Sequence, residues 1–349
     1  METPWGYTDF DAHEILHFVD QPEDGLRAII AVHSTHLGPA AGGARFWHYE
    51  DPAEALTDAL RLSRGMSYKN AMAGLPLGGG KSVILAPPDR RKTPELLAAF
   101  GKAVDNLSGR YITAEDVGMT VADMVAVKRQ TQFVAGLPAE GSDVGGDPGP
   151  HTSLGVFLGL KAAVRRALGK DDVDGLHIAI QGAGSVASGV AMLAAGEGAK
   201  LSIADVDADK AKKLAEATGG TVVSPEDVLF LEADVVSPNA LGAILDEQSI
   251  PKLNAPIVAG GANNQLATRE DGARLDERGI LYAPDYVINA GGIINVCTEY
   301  LGDGDASLVR ERIEGIPRRL EQIWAESSQT GRDPAAVADA VAQRLIGRG

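Results

Sequence analysis

Residues 176–207 read LHIAIQGAGSVASGVAMLAAGEGAKLSIADVD, and this order of elements constrains the fold more than any other stretch. The apolar run 176–181 reads as a strand, glycines follow at 182 and 184, 186–197 has helical periodicity, and 200–204 is a second strand closed by Asp205. The alternation continues with a helix over 207–218 and strands over 221–223, 234–237 and 257–259. Strands and helices in alternation predict an α/β fold whose parallel sheet is covered by helices on both faces. Helical patterns over roughly 305–325 and 333–346 close the chain.

The glycine turn has a chemical meaning. Gly182 permits a tight turn, and Gly184 lets a pyrophosphate approach the backbone at a helix N-terminus. There the open N–H groups and the helix dipole favour anions. Ala183, Ser185 and Val186 belong to the same turn, and Ala187 stands where a third glycine is common. Asp205 lies 21 residues after Gly184. A carboxylate at that point accepts hydrogen bonds from both ribose hydroxyls and repels a 2′-phosphate. This half of the chain therefore reads as a dinucleotide-binding domain favouring NAD over NADP. A lone pair of glycines would not carry that reading; strand, glycines, helix, strand and acid in order do.

A length of 349 residues predicts two domains. With 32 Lys and Arg against 48 Asp and Glu, the net charge is −16, so neither nucleic acid nor an anionic membrane is an expected partner. No apolar stretch reaches the roughly 18 residues of a membrane helix, and METPWGYTDFDAHE lacks the pattern of a signal peptide. The single cysteine, Cys297, excludes an intrachain disulfide and fits a reducing compartment. A cytoplasmic protein is expected, with Cys297 a small buried residue.

Upstream, strands are expected over 13–19 and 26–33, 83–86 and 111–114. Asp51-Pro52-Ala53-Glu54 and Thr93-Pro94-Glu95 open helices, and Thr120 with Asp123 caps a third over 120–130. The Gly/Pro-rich segment 142–153, SDVGGDPGPHTS, reads as an interdomain hinge. Two motifs fail on context. His13-Glu14-Ile15-Leu16-His17 matches a zinc-protease pattern, but on a strand its histidines stand ~13 Å apart, too far for one metal. They read as solvated strand histidines, and no metal site is expected. GLPLGGGKS (74–82) falls short of a P-loop, because the first glycine is required at position 75, which is Leu75, and a helix precedes it.

Lys69 in GMSYKNAMAG and Lys81 in LGGGKSVIL stand among small or apolar residues, unlike lysines of a solvated face. A partly buried lysine beside a second cation has a lowered pKa and can exchange protons near neutrality. A lysine with a buried stem and a solvated head is the plainer alternative. Asp116 follows a strand, where catalytic groups tend to be displayed, although it could equally cap a turn.

The motifs LGPAAGGARFW (37–47), ALRLSRGMSYKNAMAGLPLGGGKSVI (59–84), GRYITAEDVG (109–118), GGANNQL (260–266) and YAPDYVINAGGIINV (282–296) resemble the leucine/phenylalanine/valine dehydrogenase branch of the glutamate dehydrogenase superfamily. The resemblance runs from about residue 15 to 345. It implies an N-terminal α/β substrate domain over 1–142 and a Rossmann NAD domain over 143–325. Helices over about 326–349 return toward the first domain, and a cleft separates the two. The reaction implied is reversible conversion of an L-amino acid, NAD⁺ and water to a 2-oxo acid, ammonium and NADH.

The resemblance also implies roles. Lys69 would hold the substrate α-carboxylate, assisted by Asn264. Lys81 would activate the attacking water, and Asp116 would shuttle a proton to and from the amino group. Thr152 and Asn289 would help fix the nicotinamide end, and Asn263, which lies near Asn264, with Val206, Asn239 and Ala240 completes the cofactor contacts. The substrate side chain would meet Leu37, Gly38, Met66, Gly78, Ala114, Ala135, Ile293 and Val296, all apolar or small. Glutamate would lose its partners there, since Leu37 and Val296 stand where glutamate-specific relatives carry a lysine and a hydroxyl. Leucine, valine or isoleucine is the expected substrate, with phenylalanine or tryptophan the alternative; the difference is worth ~1–3 kcal/mol of pocket space. A hydroxy-acid dehydrogenase would instead need a His base beside an Arg clamp. A non-catalytic NAD-binding protein would need neither lysine. A homo-oligomer, from dimer to octamer, is implied as well.

Overall fold

The computed structural model describes residues 4–137, 147–302 and 305–349. The chain divides into two compact units, one of Met1–Gly146, Ile294–Val309 and Ala342–Gly349, the other of Asp147–Ile293 and Arg310–Val341.

The first unit contains β1 (Ile15–Gln21), β2 (Leu26–Ser34), β3 (Ala40–Trp47), α1 (Pro52–Met72), β4 (Gly78–Leu85), α2 (Pro94–Asp105), β5 (Tyr111–Glu115) and α3 (Val121–Lys128). Its sheet has the order β1-β2-β4-β3-β5. The first two pairings are antiparallel, and β4, β3 and β5 run parallel. Apolar side chains alternate across this sheet. Ile29, Ala31 and Val83 pack with Ala55, Leu56, Ala59 and Leu60 of α1, while Ile30, Val32, Phe46 and Ile84 pack with Leu96, Phe100 and Val104 of α2 and Met124 and Val127 of α3. The caps are those expected: Asp51 accepts from the Ala53 N–H, Thr93 from the Leu96 N–H, and Thr120 with Asp123 forms a reciprocal capping box.

Two expectations are corrected in this unit, and one strand is added to those expected. The strand expected over 83–86 begins five residues earlier, so the three glycines before Lys81 are strand. AAGGARFW is a strand that apolar patterning misses, because small residues there admit neighbouring backbone. His13 is not solvated. It is buried, and its Nε2 lies 3.1 Å from both the Leu60 carbonyl and Ser63 Oγ.

The second unit opens with α4 (Gly149–Leu168) and continues through β6 (His177–Gln181), α5 (Ser185–Gly196), β7 (Lys200–Ala204), α6 (Ala208–Thr218), β8 (Thr221–Val222), β9 (Val235–Pro238), β10 (Ile257–Val258), α7 (Glu270–Glu277), β11 (Leu281–Tyr282) and α8 (Asp285–Ile288). Its six strands have the order β11-β10-β9-β6-β7-β8 and pair in parallel. This is the doubly wound order, with β6 at the point where the winding reverses. Of the segment read as a hinge, residues 142–146, and with them the boundary at 142/143, lie outside the described residues. Residues 149–153 are the first turn of α4, where Pro150 suits a helix start.

The chain ends with α9 (Gly291–Tyr300), α10 (Ala306–Glu314), α11 (Ile316–Thr330) and α12 (Pro334–Leu345). The helix expected over 305–325 is thus interrupted at Gly315. Among the described residues no helix is long and apolar enough to cross a membrane, and no group of His, Cys, Asp or Glu is arranged to hold a metal ion.

Candidate active site

In the first unit the chemistry gathers where α1 lies on β4. Strand alternation puts Gly79, Lys81 and Val83 on the α1 face. A Cβ at Gly79 would come within 1.9 Å of the Ser67 backbone nitrogen, so no other residue allows the helix this close. Lys81 is only 5% exposed. Its Nζ lies 2.7 Å from Asp116 Oδ2, just beyond the end of β5. Arg45 Nε of β3 donates to the same oxygen at 3.2 Å, and Arg45 Nη1 donates to Asp58 Oδ2 at 2.8 Å. The Tyr49 hydroxyl donates to that second carboxylate at 2.7 Å. Gly43 leaves room for the bend, since a Cβ there would stand 2.8 Å from Asp116 Cβ.

Electrostatics follow from this packing. Burial pushes the Lys81 ammonium below the ordinary lysine range, and Asp116 opposes the shift without cancelling it. Burial alone would raise the Asp116 carboxyl, but Lys81 first and then Arg45 outweigh it and hold the group below the usual carboxylate range. The result is a buried lysine that gives up its proton more readily than usual, beside a carboxylate that stays charged. Such a pair can relay a proton to a bound molecule.

Sequence reasoning singled out Lys81 and Asp116 but missed Arg45, Asp58 and Tyr49. The available signal was an arginine set in a strand of small residues, which demands an anionic partner. Lys69 lies half-buried in the last turn of α1. Its neighbour Asn70 donates to the Gly78 carbonyl at 2.6 Å and ties that turn to the start of β4.

The residues expected around a side chain are also placed. The Gly78 N–H donates to the Gly38 carbonyl, which brings the Leu37–Gly38 turn against β4. Met66 faces Gly42, Ala114 pairs with Gly43, and the Ala135 N–H donates to the Thr113 carbonyl at 2.8 Å. Val296 of α9 lies against Gly136, whose N–H donates to Glu299 Oε2 at 3.0 Å. Glu299 was not anticipated. Burial raises its carboxyl above the usual range.

In the second unit Gly182 has φ +100°, a conformation that favours glycine. The Ala183 N–H donates to Asp205 Oδ2 at 2.7 Å, and the Asp207 N–H donates to Asp205 Oδ1 at 2.8 Å. Asp205 therefore also holds the glycine turn in shape. Gly184 precedes α5 without a side-chain cap, and a Cβ there would meet nothing within 4 Å. Ser185 and Val186 begin the helix, Val206 is exposed, and Ala240 faces Gly182.

Asn239 Oδ1 accepts from the Gly261 N–H at 2.8 Å, which braces the GGANNQL loop. Gln265 donates to the Gly260 and Ala262 carbonyls within that loop, a support the sequence did not reveal. Asn264 adopts a left-handed φ of +53°. Asn289 Nδ2 donates to Asn263 Oδ1 at 2.8 Å, while Asn289 Oδ1 is buried without a partner. Thr152 of α4 stands over Gly292, where a Cβ would lie 2.6 Å from its Oγ1. Ile293 is half-buried beside it. An uncapped helix start on a glycine turn, a carboxylate after the next strand and an orphaned amide oxygen fit a dinucleotide carrying a carboxamide.

Residues 13–133 match the family described as Glu/Leu/Phe/Val dehydrogenase, dimerisation domain, and residues 201–342 match Glutamate/Leucine/Phenylalanine/Valine dehydrogenase. The chain is 45% identical over 337 residues to leucine dehydrogenase of Bacillus subtilis (strain 168), covering 96% of this chain and 92% of that protein. It is 46% identical over 320 residues to L-tryptophan dehydrogenase of Nostoc punctiforme, covering 91% and 89%. The crystal structure of L-tryptophan dehydrogenase from Nostoc punctiforme superposes with a TM-score of 0.84 at 41% identity, over 96% of each chain.

Proposed function

The chain belongs to the Glu/Leu/Phe/Val dehydrogenase family, and from that premise we propose that it catalyses the reversible oxidative deamination of an apolar L-amino acid with NAD. The net reaction is L-amino acid + NAD⁺ + water to 2-oxo acid + ammonium + NADH + H⁺. The observation that carries this reading is the buried Lys81 with Nζ 2.7 Å from Asp116. A protein that only bound a dinucleotide would have no use for that pair.

The nicotinamide ring, when bound, supplies the hydride acceptor for the substrate Cα. Everything else falls to the chain. Lys69 holds the α-carboxylate by charge-assisted hydrogen bonds. Asp116 takes a proton from the substrate ammonium, leaving the free amine that hydride loss requires. Lys81, once neutral, takes a proton from the water that adds to the iminium carbon. It then hydrogen-bonds the carbinolamine oxygen. Asp116 returns a proton to the nitrogen, which leaves as ammonia while the carbinolamine hydroxyl becomes the 2-oxo carbonyl; the hydroxyl proton departs with the ammonia as ammonium, and Lys81 releases the proton it took from water. Arg45 keeps Asp116 ionised and aimed at that nitrogen.

In the second unit the start of α5 and Gly184 would hold the pyrophosphate, Asp205 the ribose, and Asn289, whose Oδ1 is buried without a partner, the carboxamide. Thr152 would help hold the nicotinamide end, and Asn263, which accepts from Asn289 Nδ2, would add to the cofactor contacts. The choice of NAD over NADP rests on the Asp205 charge.

The apolar character of Leu37, Met66, Ala114, Ala135 and Val296 supports leucine, valine or isoleucine. The 46% identity to a protein named L-tryptophan dehydrogenase supports an aromatic substrate as the second reading. A homo-oligomer formed through the first unit is consistent with the name of the matching family, dimerisation domain. The deciding assay follows NADH absorbance at alkaline pH with leucine, valine, phenylalanine, tryptophan, glutamate and alanine. Turnover of one apolar amino acid supports the reaction and names its substrate. Turnover of none, with NADH bound, rejects it.

A further inference from the structure

Residues 342–349 belong to the first unit, and Arg348 makes several of the bonds that hold them there. Its Nη1 donates to the Asp11 carbonyl, and its Nη2 donates to the carbonyls of Ala12 at 3.0 Å and His33 at 2.6 Å. Nη1 also lies 2.7 Å from Nε2 of His33, a side chain with no solvent exposure. A guanidinium can only donate to Nε2 and the Asp11 carboxylate, 3.2 Å away, can only accept from it; the shorter contact, to Arg348, favours Nε2 as the acceptor with the ring proton on Nδ1. Nδ1 lies 2.8 Å from Ser67 Oγ, and the hydroxyl accepts that proton. Asp11 Oδ2, 3.2 Å from Nε2, is balanced by the same guanidinium at 3.9 Å. Burial first, then the Arg348 charge and the nearby His13, lower the His33 pKa to about 3.

Serine, histidine and aspartate in a row have the composition of a hydrolase triad. The resemblance is only compositional: Ser67 is buried with no exposure, and a histidine that donates to it cannot act as its base. The network is directed instead at α1. Ser67 is the residue whose backbone touches Gly79 of β4. Ser67 lies two residues before Lys69, and Gly79 two residues before Lys81. The intervening Tyr68 is held separately, because Gln343 Nε2 lies 3.0 Å from its hydroxyl.

We propose that Arg348 is a positioning residue for amino-acid binding: through His33 and Ser67 it sets the last turns of α1 against β4, and so fixes Lys69 relative to Lys81. The inference rests on the reading of those two lysines given above. Arg348 touches neither substrate nor cofactor.

The test compares Arg348→Met, Ser67→Ala and the double variant in the full chain. Each single change is expected to raise the KM for the preferred amino acid roughly 5–20-fold, with kcat and NADH affinity within about twofold. Because both act along one path, the double variant is expected to be no worse than the larger single effect. Arg348→Lys, which keeps the charge but reaches fewer acceptors, should restore part of the KM and stands in should Arg348→Met fail to fold. Hydrogen exchange of amides 67–72, expected to quicken in both single variants, reads the same coupling without turnover. Fold-changes that multiply in the double variant, an unchanged KM with a lowered Tm, or unchanged exchange would each overturn the proposal. If the wild type turns over no amino acid, the functional reading fails, while exchange still decides the coupling.

Discussion

Replacing Asp116 with asparagine keeps the shape of the side chain and removes its charge, leaving Lys81 and Arg45 on one side of a vanished anion. At the observed 2.7 Å and an effective dielectric near 20, the gross attraction between Lys81 and Asp116 is about 6 kcal/mol. The Asp116 side chain is one-quarter exposed and the Lys81 side chain almost fully buried, so solvent screens part of it. The net cost of breaking such a pair falls to roughly 3–5 kcal/mol, less whatever Lys81 recovers by losing its proton. That recovery gives the experiment its sign. Asp116 raises the Lys81 pKa against the lowering by burial. Without it the lysine turns neutral at lower pH. Loss of the carboxylate relay should reduce kcat by ~10²–10⁴-fold. The residual activity should rise with pH along a limb displaced toward acid. Steady-state kinetics between pH 6 and 11, with urea unfolding for stability, measure both effects. A near-normal kcat, or a limb that stays in place or moves toward alkali, would refute the reasoning.

Three further outcomes are expected. Asp205→Asn keeps an acceptor for the Ala183 N–H but loses the charge, so kcat/KM for NADP should rise relative to NAD, by about tenfold for 1.4 kcal/mol of relieved repulsion; an unmoved ratio in paired assays counts against the ribose role. Glu299→Ala frees the Gly136 N–H and slackens the segment beside Val296; if Ala135 and Val296 line the substrate pocket as proposed, kcat/KM for phenylalanine should gain on leucine by up to ~10-fold, whereas a parallel loss on both substrates would make Glu299 merely structural. His33 is neutral when folded, with a pKa lowered to about 3, so unfolding takes up its proton and stability falls as pH drops from about 6.5 toward 3. Over that window His33→Asn should flatten the acid limb by up to 1.4 kcal/mol per pH unit, and denaturant titrations with unchanged slope would disprove it.

The second unit was largely legible in the sequence because each of its signals is local. Glycines, helix, strand and Asp205 lie within 30 residues, and the strands expected over 176–181, 200–204, 221–223, 234–237 and 257–259 all occur, with ends shifted by a residue or so. The short strand β11 and the helices between residues 270 and 300 carried too little periodicity to be found. In the first unit the caps at Asp51, Thr93 and Thr120 were legible for the same local reason. The strand AAGGARFW was not. Its small residues are dictated by what packs against them, such as Asp116 beside Gly43 and Met66 beside Gly42, and a neighbour distant in sequence leaves no periodic trace.

The candidate site divides along that line. Lys69, Lys81, Asp116 and Asp205 could be picked out because each is a charged group set among small or apolar residues, or at a strand end with a known use. Their company could not. Arg45 and Asp58, the Glu299–Gly136 tie and the run from Arg348 through His33 to Ser67 join residues separated by between 13 and 315 positions. The sequence by itself determined the parallel α/β half, the helix starts and the charged residues able to do chemistry, since propensity, capping and turn geometry act over a few neighbours. The tertiary structure alone decided that Lys81 is buried, that Asp116 is shared with Arg45, and that α1 sits on β4 at Ser67 and Gly79. Desolvation and charge pairing depend on what surrounds an atom in space, and that is set only when distant segments pack.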